Sequence, residues 1–393
     1  MKLVQWFKLL SRRQKLILYM TLILGTLIIL FGFWNTDDTQ KHDTIEFTTS
    51  MSIKEIAPQL GVTGKALARE LNLPLDVGKR KPLYKLGVTS DELSHVVHHL
   101  LSHVDATAKY YIFFVIVIFG LIYLTILGRP GNASLNHKNT WYPQLPYIIF
   151  LLISLIFAGF YLGKSPNPME GVVKVFKSTV GLYPDPGFKL LAFLFFVMLA
   201  VVGNKLICGW ACPFGALQEL IYSIPILRKL KKRKLPFALT NSIRVGLFII
   251  MLLLLFGIVG GRRGFVIYHY MNPFNLFNMD FDHIFILITV VVIVIASFMT
   301  YRPFCQFICP FGLISWILER LSITRVQIDM ETCTRCGACV NACPTDATKG
   351  MLADDPLAAD CFSCARCLNV CPVDAIKYES IFKKKKNREE SAN

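Results

Sequence analysis

Two runs of cysteine near the C-terminus carry the clearest chemistry in the chain. Cys333, Cys336, Cys339 and Cys343, followed by Pro344, are repeated as Cys361, Cys364, Cys367 and Cys371, followed by Pro372. Three thiols at three-residue spacing, then a fourth before proline, is the order in which thiolates hold paired [4Fe-4S] clusters, with the fourth cysteine crossing to the other site. The crossover groups Cys333, Cys336, Cys339 and Cys371 around one cluster, and Cys361, Cys364, Cys367 and Cys343 around the other. Zinc also takes four thiolates, usually from CxxC pairs. The three-plus-one arrangement argues against it, and no histidine or aspartate replaces a cysteine in either run.

A second set has another spacing. Cys208-Gly-Trp-Ala-Cys212-Pro213-Phe214-Gly215 is echoed by Cys305-Gln-Phe-Ile-Cys309-Pro310-Phe311-Gly312. Thiols at i and i+4 face one way on a helical turn. The proline suits the first turn of a following helix, whose positive end would favour thiolate sulfur. Each motif ends an apolar stretch and leads into an amphipathic one, Ala216–Ile224 and Leu313–Leu321. The halves look like one duplicated unit of span, cysteine motif and interfacial helix. Pooled, Cys208, Cys212, Cys305 and Cys309 supply the ligands of a third cluster. Taken separately, each pair makes a redox disulfide or a copper or zinc site. Four buried free cysteines are the plainest alternative. Spacing alone does not show whether the pairs meet.

The elements that position these residues follow from composition. The chain has 393 residues, 54% hydrophobic and 17% charged, with a net charge of +16. So apolar a chain predicts a polytopic membrane protein, since about 20 apolar residues make one helical crossing. Six stretches qualify: Leu16–Trp34, Tyr110–Leu127, Leu145–Leu162, Phe188–Ile207, Ile243–Val259 and His283–Thr300. The first lacks a small-residue cleavage site and reads as an uncleaved span. Basic groups before it, at 228–234 and at 383–386 fall on one side, which the positive-inside rule makes cytoplasmic. The charge is then topological, and nucleic acid is not an expected partner. The expected location is a bacterial inner membrane, with both termini and the cysteine runs in the cytoplasm. The fold class is mainly α, with an α+β C-terminal cluster domain. The expected divisions are an N-terminal span (1–34), an outer helical segment (35–109), a membrane core (110–324), the cluster domain (325–378) and a basic tail (379–393).

The outer segment has two capping boxes, Ser52 with Glu55 and Thr89 with Glu92. Residues 53–73 also resemble a helix-turn-helix, a weak signal that the topology sets on the side without DNA. His95, His99 and His103 share one helical face, with His98 beside them, and are candidates for haem or metal ligation. Arg262, Arg263, His269, Asp280, Asp282 and His283 lie in the loop before the last span and could serve proton transfer to a quinone, or be an ordinary solvated loop.

Taken together, two Cys-x-x-x-Cys-Pro motifs on spans and a two-cluster ferredoxin unit resemble the membrane polyferredoxin group of NapH, NosR and CcoG. The resemblance covers about Pro146 to Tyr378. It implies electron transfer between the quinone pool or a cytosolic donor and a redox partner at the membrane. A flavin-attachment motif of the NosR type is not apparent. The implied role is an electron-transfer component resembling a quinol dehydrogenase subunit, rather than a stand-alone enzyme. An alternative is a copper reductase or assembly factor, with Cys208, Cys212, Cys305 and Cys309 handling the metal.

Overall fold

The computed structural model describes residues 47–60, 64–71, 73–74, 77–78, 80–101, 106–128, 145–181, 186–224, 234–259, 264–279, 281, 283–355 and 360–380. The expected first span, the basic run at 228–233 and the basic tail lie outside them.

Residues 47–101 form a small helical unit around their own core. Helices α1 (Ile53–Gln59), α2 (Gly64–Glu70) and α3 (Ser90–Leu101) bury Ile53, Ile56, Leu67 and Leu93 against one another and against Leu83 of a 3-10 turn. The Thr89 capping box forms in full, and the Ser52 box forms on its glutamate side only. The Ser52 N–H donates to Glu55 Oε2 at 2.8 Å. The Thr89 N–H donates to Glu92 Oε2 at 3.0 Å, and the Glu92 N–H returns a bond to Thr89 Oγ1 at 3.3 Å.

The five later expected spans are all helical. They are α4 (Ala106–Leu127), α5 (Leu145–Ile153) continuing as a π-helix to Tyr161, α7 (Pro186–Gly203), α9 (Phe237–Leu255) and α10 (Ile284–Met299). By length and composition, Lys109–Leu127 and Phe237–Leu255 suit a bilayer crossing, whereas Leu145–Tyr161, Lys189–Gly203 and Ile284–Met299 are apolar but shorter. An amphipathic helix α6 (Pro168–Thr179) packs on α7, capped by the Asn167 side chain, which accepts from the Glu170 N–H.

The duplication is visible in the backbone. After α7 comes a π-turn (Ile207–Ala211) and then α8 (Pro213–Ser223). After α10 come the short α11 (Pro303–Phe307) and then α12 (Pro310–Leu318). Pro213 and Pro310 each occupy the first turn of their helix, where a missing N–H costs nothing. One expectation is corrected: α8 is no interfacial helix. Its polar residues Gln218 and Glu219 are buried, and it packs on α10 and the π-helix.

The C-terminal domain closes on an antiparallel pair, β1 (Thr324–Ile328) and β2 (Ile376–Ser380), with Thr324 opposite Ser380. Three short helices, α13 (Ala338–Ala342), α14 (Ala347–Leu352) and α15 (Arg366–Val370), lie between the strands. The sheet is seated on the end of α4. A Cβ on Gly128 would come within 2.7 Å of the Tyr378 backbone nitrogen, and Tyr378 Oη donates to the Gly203 carbonyl at 2.8 Å.

The cap at Thr89 is reciprocal and exposed, so its removal should act locally. Thr89→Ala is expected to cost about 1 kcal/mol. Amide hydrogen exchange within 90–101 should then rise about fivefold, with exchange in 237–255 unchanged.

Candidate metal centres

The two C-terminal cysteine runs are built alike. Arg335 and Gly337 flank Cys336 in the left-handed region, and Ser363 and Ala365 flank Cys364 in the same way. Asp346 and Asp374, each three residues past the fourth cysteine of its run, repeat the correspondence. Left-handed turns fold backbone N–H groups into a concave nest that suits anions. The Arg335 N–H accordingly lies 3.4 Å from Cys333 Sγ, and the Ala375 N–H lies 3.2 Å from Cys371 Sγ.

The thiols are grouped across the runs. Cys333, Cys336 and Cys339 line one pocket together with Cys371. Cys361, Cys364 and Cys367 line another together with Cys343. Among the described residues, no three His, Cys, Asp or Glu side chains converge closely enough to hold one metal ion. A single zinc would draw four sulfurs to about 2.3 Å of one point. Thiols spread around a cavity suit a four-iron cluster instead. The first cavity opens at exposed Cys336, whereas Cys343, Cys361 and Cys367 of the second are buried.

The other four cysteines come from both halves of the duplication and meet. Cys208, Cys212, Cys305 and Cys309 are all buried, and each thiol lies close enough to others of the set to feel their charge. The simple helical turn expected for each pair is not what forms. Cys208 lies in the π-turn and Cys305 in α11, whereas Cys212 and Cys309 leave the helix in extended conformation and cap the next one. The second thiol of each pair thereby faces a helix start. The backbone N–H groups of Phe214 and Gly215 lie near Cys212, and that of Gly312 near Cys309, though neither thiol closes a cap hydrogen bond.

Two glycines and two arginines complete a matched frame. A Cβ on Gly215 would meet the Cys208 carbonyl oxygen at 2.7 Å and an Arg302 nitrogen at 2.9 Å. A Cβ on Gly312 would meet the Cys305 carbonyl oxygen at 2.6 Å and an Arg244 nitrogen at 3.2 Å. Arg302 donates to the carbonyl of Cys208, and Arg244 to that of Cys305 at 3.2 Å. The π-turn leaves its carbonyls without helical partners, and side chains supply them. Arg302 and Tyr147 both donate to the Gly209 carbonyl, at 2.8 and 3.0 Å, and Ser154 to that of Ala211 at 2.6 Å. Buried carbonyls require such partners.

This frame touches the C-terminal domain through the loops between its cysteines. A Cβ on Gly209, between Cys208 and Cys212, would overlap the carbonyl oxygen of Phe362, between Cys361 and Cys364. The neighbouring Trp210 Nε1 donates to the Ser363 carbonyl at 3.0 Å, and Ser363 Oγ donates to the Asn204 carbonyl at 2.8 Å.

A buried ion network surrounds the contact. Glu219 accepts from Arg302 at 3.0 Å and from Arg366 at 2.5 Å. Asp360 pairs with Lys205 and, at 3.1 Å, with Arg244. Lys205 also stands 3.5 Å from Glu319. Burial pushes Glu219 up, but Arg366 and Arg302 outweigh it and hold the carboxyl below its ordinary value. Asp360 is likewise lowered: Lys205 and Arg244 overcome its burial. Glu319 is the exception. Burial, with Asp360 nearby, pushes it up to about 7 despite Lys205.

Known proteins point the same way as the geometry. Residues 186–234 and 282–326, which contain both Cys-x-x-x-Cys-Pro motifs, match a family model described as a 4Fe-4S binding domain. Residues 326–349 match a second model with the same description. The chain thus carries regions similar to 4Fe-4S binding domains, as the polyferredoxin-type relatives do. Among its relatives, the ferredoxin-type protein NapH of Haemophilus influenzae is 28% identical over 166 residues, 41% of this chain and 55% of NapH. The regulatory protein NosR of Stutzerimonas stutzeri is 28% identical over 214 residues, 50% of this chain and 28% of NosR. An uncharacterized protein of Methanocaldococcus jannaschii is 24% identical over 233 residues, 58% of this chain and 84% of the relative. No solved structure matches the chain.

The other expected site residues fare differently. His95 is exposed on α3, while the side chains of His98 and His99, and all of His103, lie outside the described residues, as do Arg262, Arg263, Asp280 and Asp282. His269 meets the buried Lys177 at 3.1 Å, and the His283 ring packs tilted against that of Tyr270, with centroids 5.1 Å apart. Sequence reasoning missed Arg302, Arg244, Lys205, Glu219, Asp360 and Arg366. A signal existed for two of them: Lys205 and Arg302 each stand three residues before the first cysteine of a motif, both at positive φ.

The network makes a sharp stability prediction. Glu219→Gln strips two buried arginines of their carboxylate and should cost on the order of 3–5 kcal/mol. Thermal unfolding of the detergent-solubilised, cluster-loaded protein should show it, while Glu170→Gln, at a half-exposed pair with Lys174, should cost under about 1 kcal/mol.

Proposed function

We propose that this chain is a membrane-embedded electron relay with three iron–sulfur sites. Cys333, Cys336, Cys339 and Cys371 would hold one cluster, Cys343, Cys361, Cys364 and Cys367 a second, and Cys208, Cys212, Cys305 and Cys309 a third. Bound there, [4Fe-4S] clusters supply one-electron carriers between a quinone or a redox partner protein and the C-terminal domain. The observation that carries the reading is the contact of Gly209 with the Phe362 carbonyl. It joins a loop between two cysteines of the membrane core to a loop between two cysteines of the C-terminal domain. Glu219, Asp360 and the cations around them fix that contact and keep water out of it.

Membrane placement is supported by the faces that the helices present. Val115 and Phe119 on α4, Ile249 and Ile250 on α9, and Val291, Val292 and Ile295 on α10 are exposed apolar side chains. Such continuous apolar surface belongs in lipid. The basic groups then set the C-terminal domain in the cytoplasm.

Iron and acid-labile sulfide analysis with low-temperature EPR tests the reading. About twelve iron atoms per chain are expected, as three four-iron clusters. Cys208→Ser and Cys305→Ser should each lose about four and leave the C-terminal signals intact. About eight iron atoms in the unaltered protein would remove the third site. No iron, with stoichiometric zinc, would overturn the relay altogether.

A further inference from the structure

The frame around Cys208, Cys212, Cys305 and Cys309 is two-fold in its backbone but not in its side chains. Cys212 and Cys309 each cap the following helix in extended conformation, and Gly215 and Gly312 each approach the carbonyl of the first cysteine of their motif. Gln218, five residues after Pro213, has Ser315 as its counterpart five residues after Pro310. Ser315 turns its hydroxyl to the Gly312 carbonyl at 3.1 Å. Gln218 does something else: its Nε2 lies 3.6 Å from Cys305 Sγ.

The orientation of this amide is determined by its other partners. Gln218 is 1% exposed. The Phe304 backbone N–H can only donate, and it meets the Gln218 side chain at 2.9 Å, so the atom there must be Oε1. That leaves Nε2 with two hydrogens. One points to the Phe214 carbonyl at 3.1 Å, and the other to Cys305 Sγ. The buried arginines nearby make other bonds: Arg302 and Arg244 donate to carbonyls and carboxylates rather than to the Cys305 sulfur.

An N–H aimed at a ligand sulfur withdraws negative charge from it. The more reduced state carries more of that charge, so it gains more from the bond, and the reduction potential rises. We propose that Gln218 is a positioning residue that holds up the reduction potential of the four-cysteine site through its N–H···S bond to Cys305. The inference rests on the reading that these four cysteines hold a [4Fe-4S] cluster. It makes Cys305 electronically distinct from Cys208 within an otherwise matched pair.

The test is an EPR-monitored redox titration of the loaded, full-length protein and of Gln218→Leu. At the unaltered protein's midpoint, the reduced-to-oxidised ratio of the third site should fall about tenfold, equal to about 59 mV for one electron. The two C-terminal sites should not move. Gln218→Glu keeps an acceptor for the Phe304 N–H and loses the donor, so it should shift in the same direction. A third signal with unchanged potential in either variant overturns the inference. A second readout needs no variant. Protein labelled with ¹⁵N in glutamine side chains should show nitrogen hyperfine coupling to the reduced third site, and its absence overturns the inference. If the unaltered protein carries about eight iron atoms rather than twelve, the third-site reading itself has failed, and this inference with it.

Discussion

Charge buried between thiol-rich sites is the constraint on which the rest of the arrangement depends. Glu219 and Asp360 lie in the interior with Lys205, Arg244, Arg302 and Arg366, and Glu319 beside them. Taking these ions out of water costs several kcal/mol each, which attraction offsets only when geometry is good and remaining donors are bonded. Here most of them are: Arg302 alone serves Glu219, Tyr147 and the carbonyls of Cys208 and Gly209. The network also contains more cations than carboxylates. An excess of positive charge is what a set of buried thiolates requires, because Coulomb interactions in a low-dielectric interior are poorly screened. A hydrophobic interface of equal size would dock the domain as well, but it would leave the sulfur charge unopposed.

The same network explains why the C-terminal domain is fixed rather than tethered. Asp360, just before Cys361, is held by Lys205 and Arg244 of the helical core, and Arg366, just before Cys367, by Glu219. Both cysteines line the second cavity. Positions of thiols in one domain are therefore set by side chains of the other. Tyr301 packs its ring at 5.7 Å from that of Phe362, and Thr324 bonds the Val202 carbonyl, so the fit continues on both sides. A hinge here would require burying or hydrating several charges at once, which makes motion of the whole domain costly on the timescale of a loop.

Much of this was legible in the chain, and the boundary of what was legible has a physical reason. The crossover of Cys343 and Cys371 follows from local ligand order, and the structure sets each in the other run's cavity. Five of the expected spans are helical because continuous apolarity is also a local property. The ion network is different. Arg302 meets Glu219 across 83 residues and Arg366 meets it across 147, and no periodicity records such pairings. The error on α8 has the same origin. Gln218 and Glu219 make its polar face, and polar faces ordinarily mean water, but here they meet Cys305, Arg302 and Arg366 in the interior. Amphipathicity tells that a helix has two environments and leaves open whether the polar one is solvent.

Exposure then orders the three sites. Cys336 reaches the surface and Cys333 is partly exposed, whereas the second cavity is lined by buried Cys343, Cys361 and Cys367 and abuts the helical core. The four motif cysteines are buried throughout. A soluble molecule can approach the first site closely but is held away from the other two by protein. One accessible group of thiols on the C-terminal domain, a more enclosed second group and a buried third within the helical core would suit the proposed relay. Solvent reaching the second group would screen the charges that hold it and expose reduced sulfur to oxidants, so the sealing by Phe362, Tyr301 and Trp210 is as much part of the function as the cysteines are.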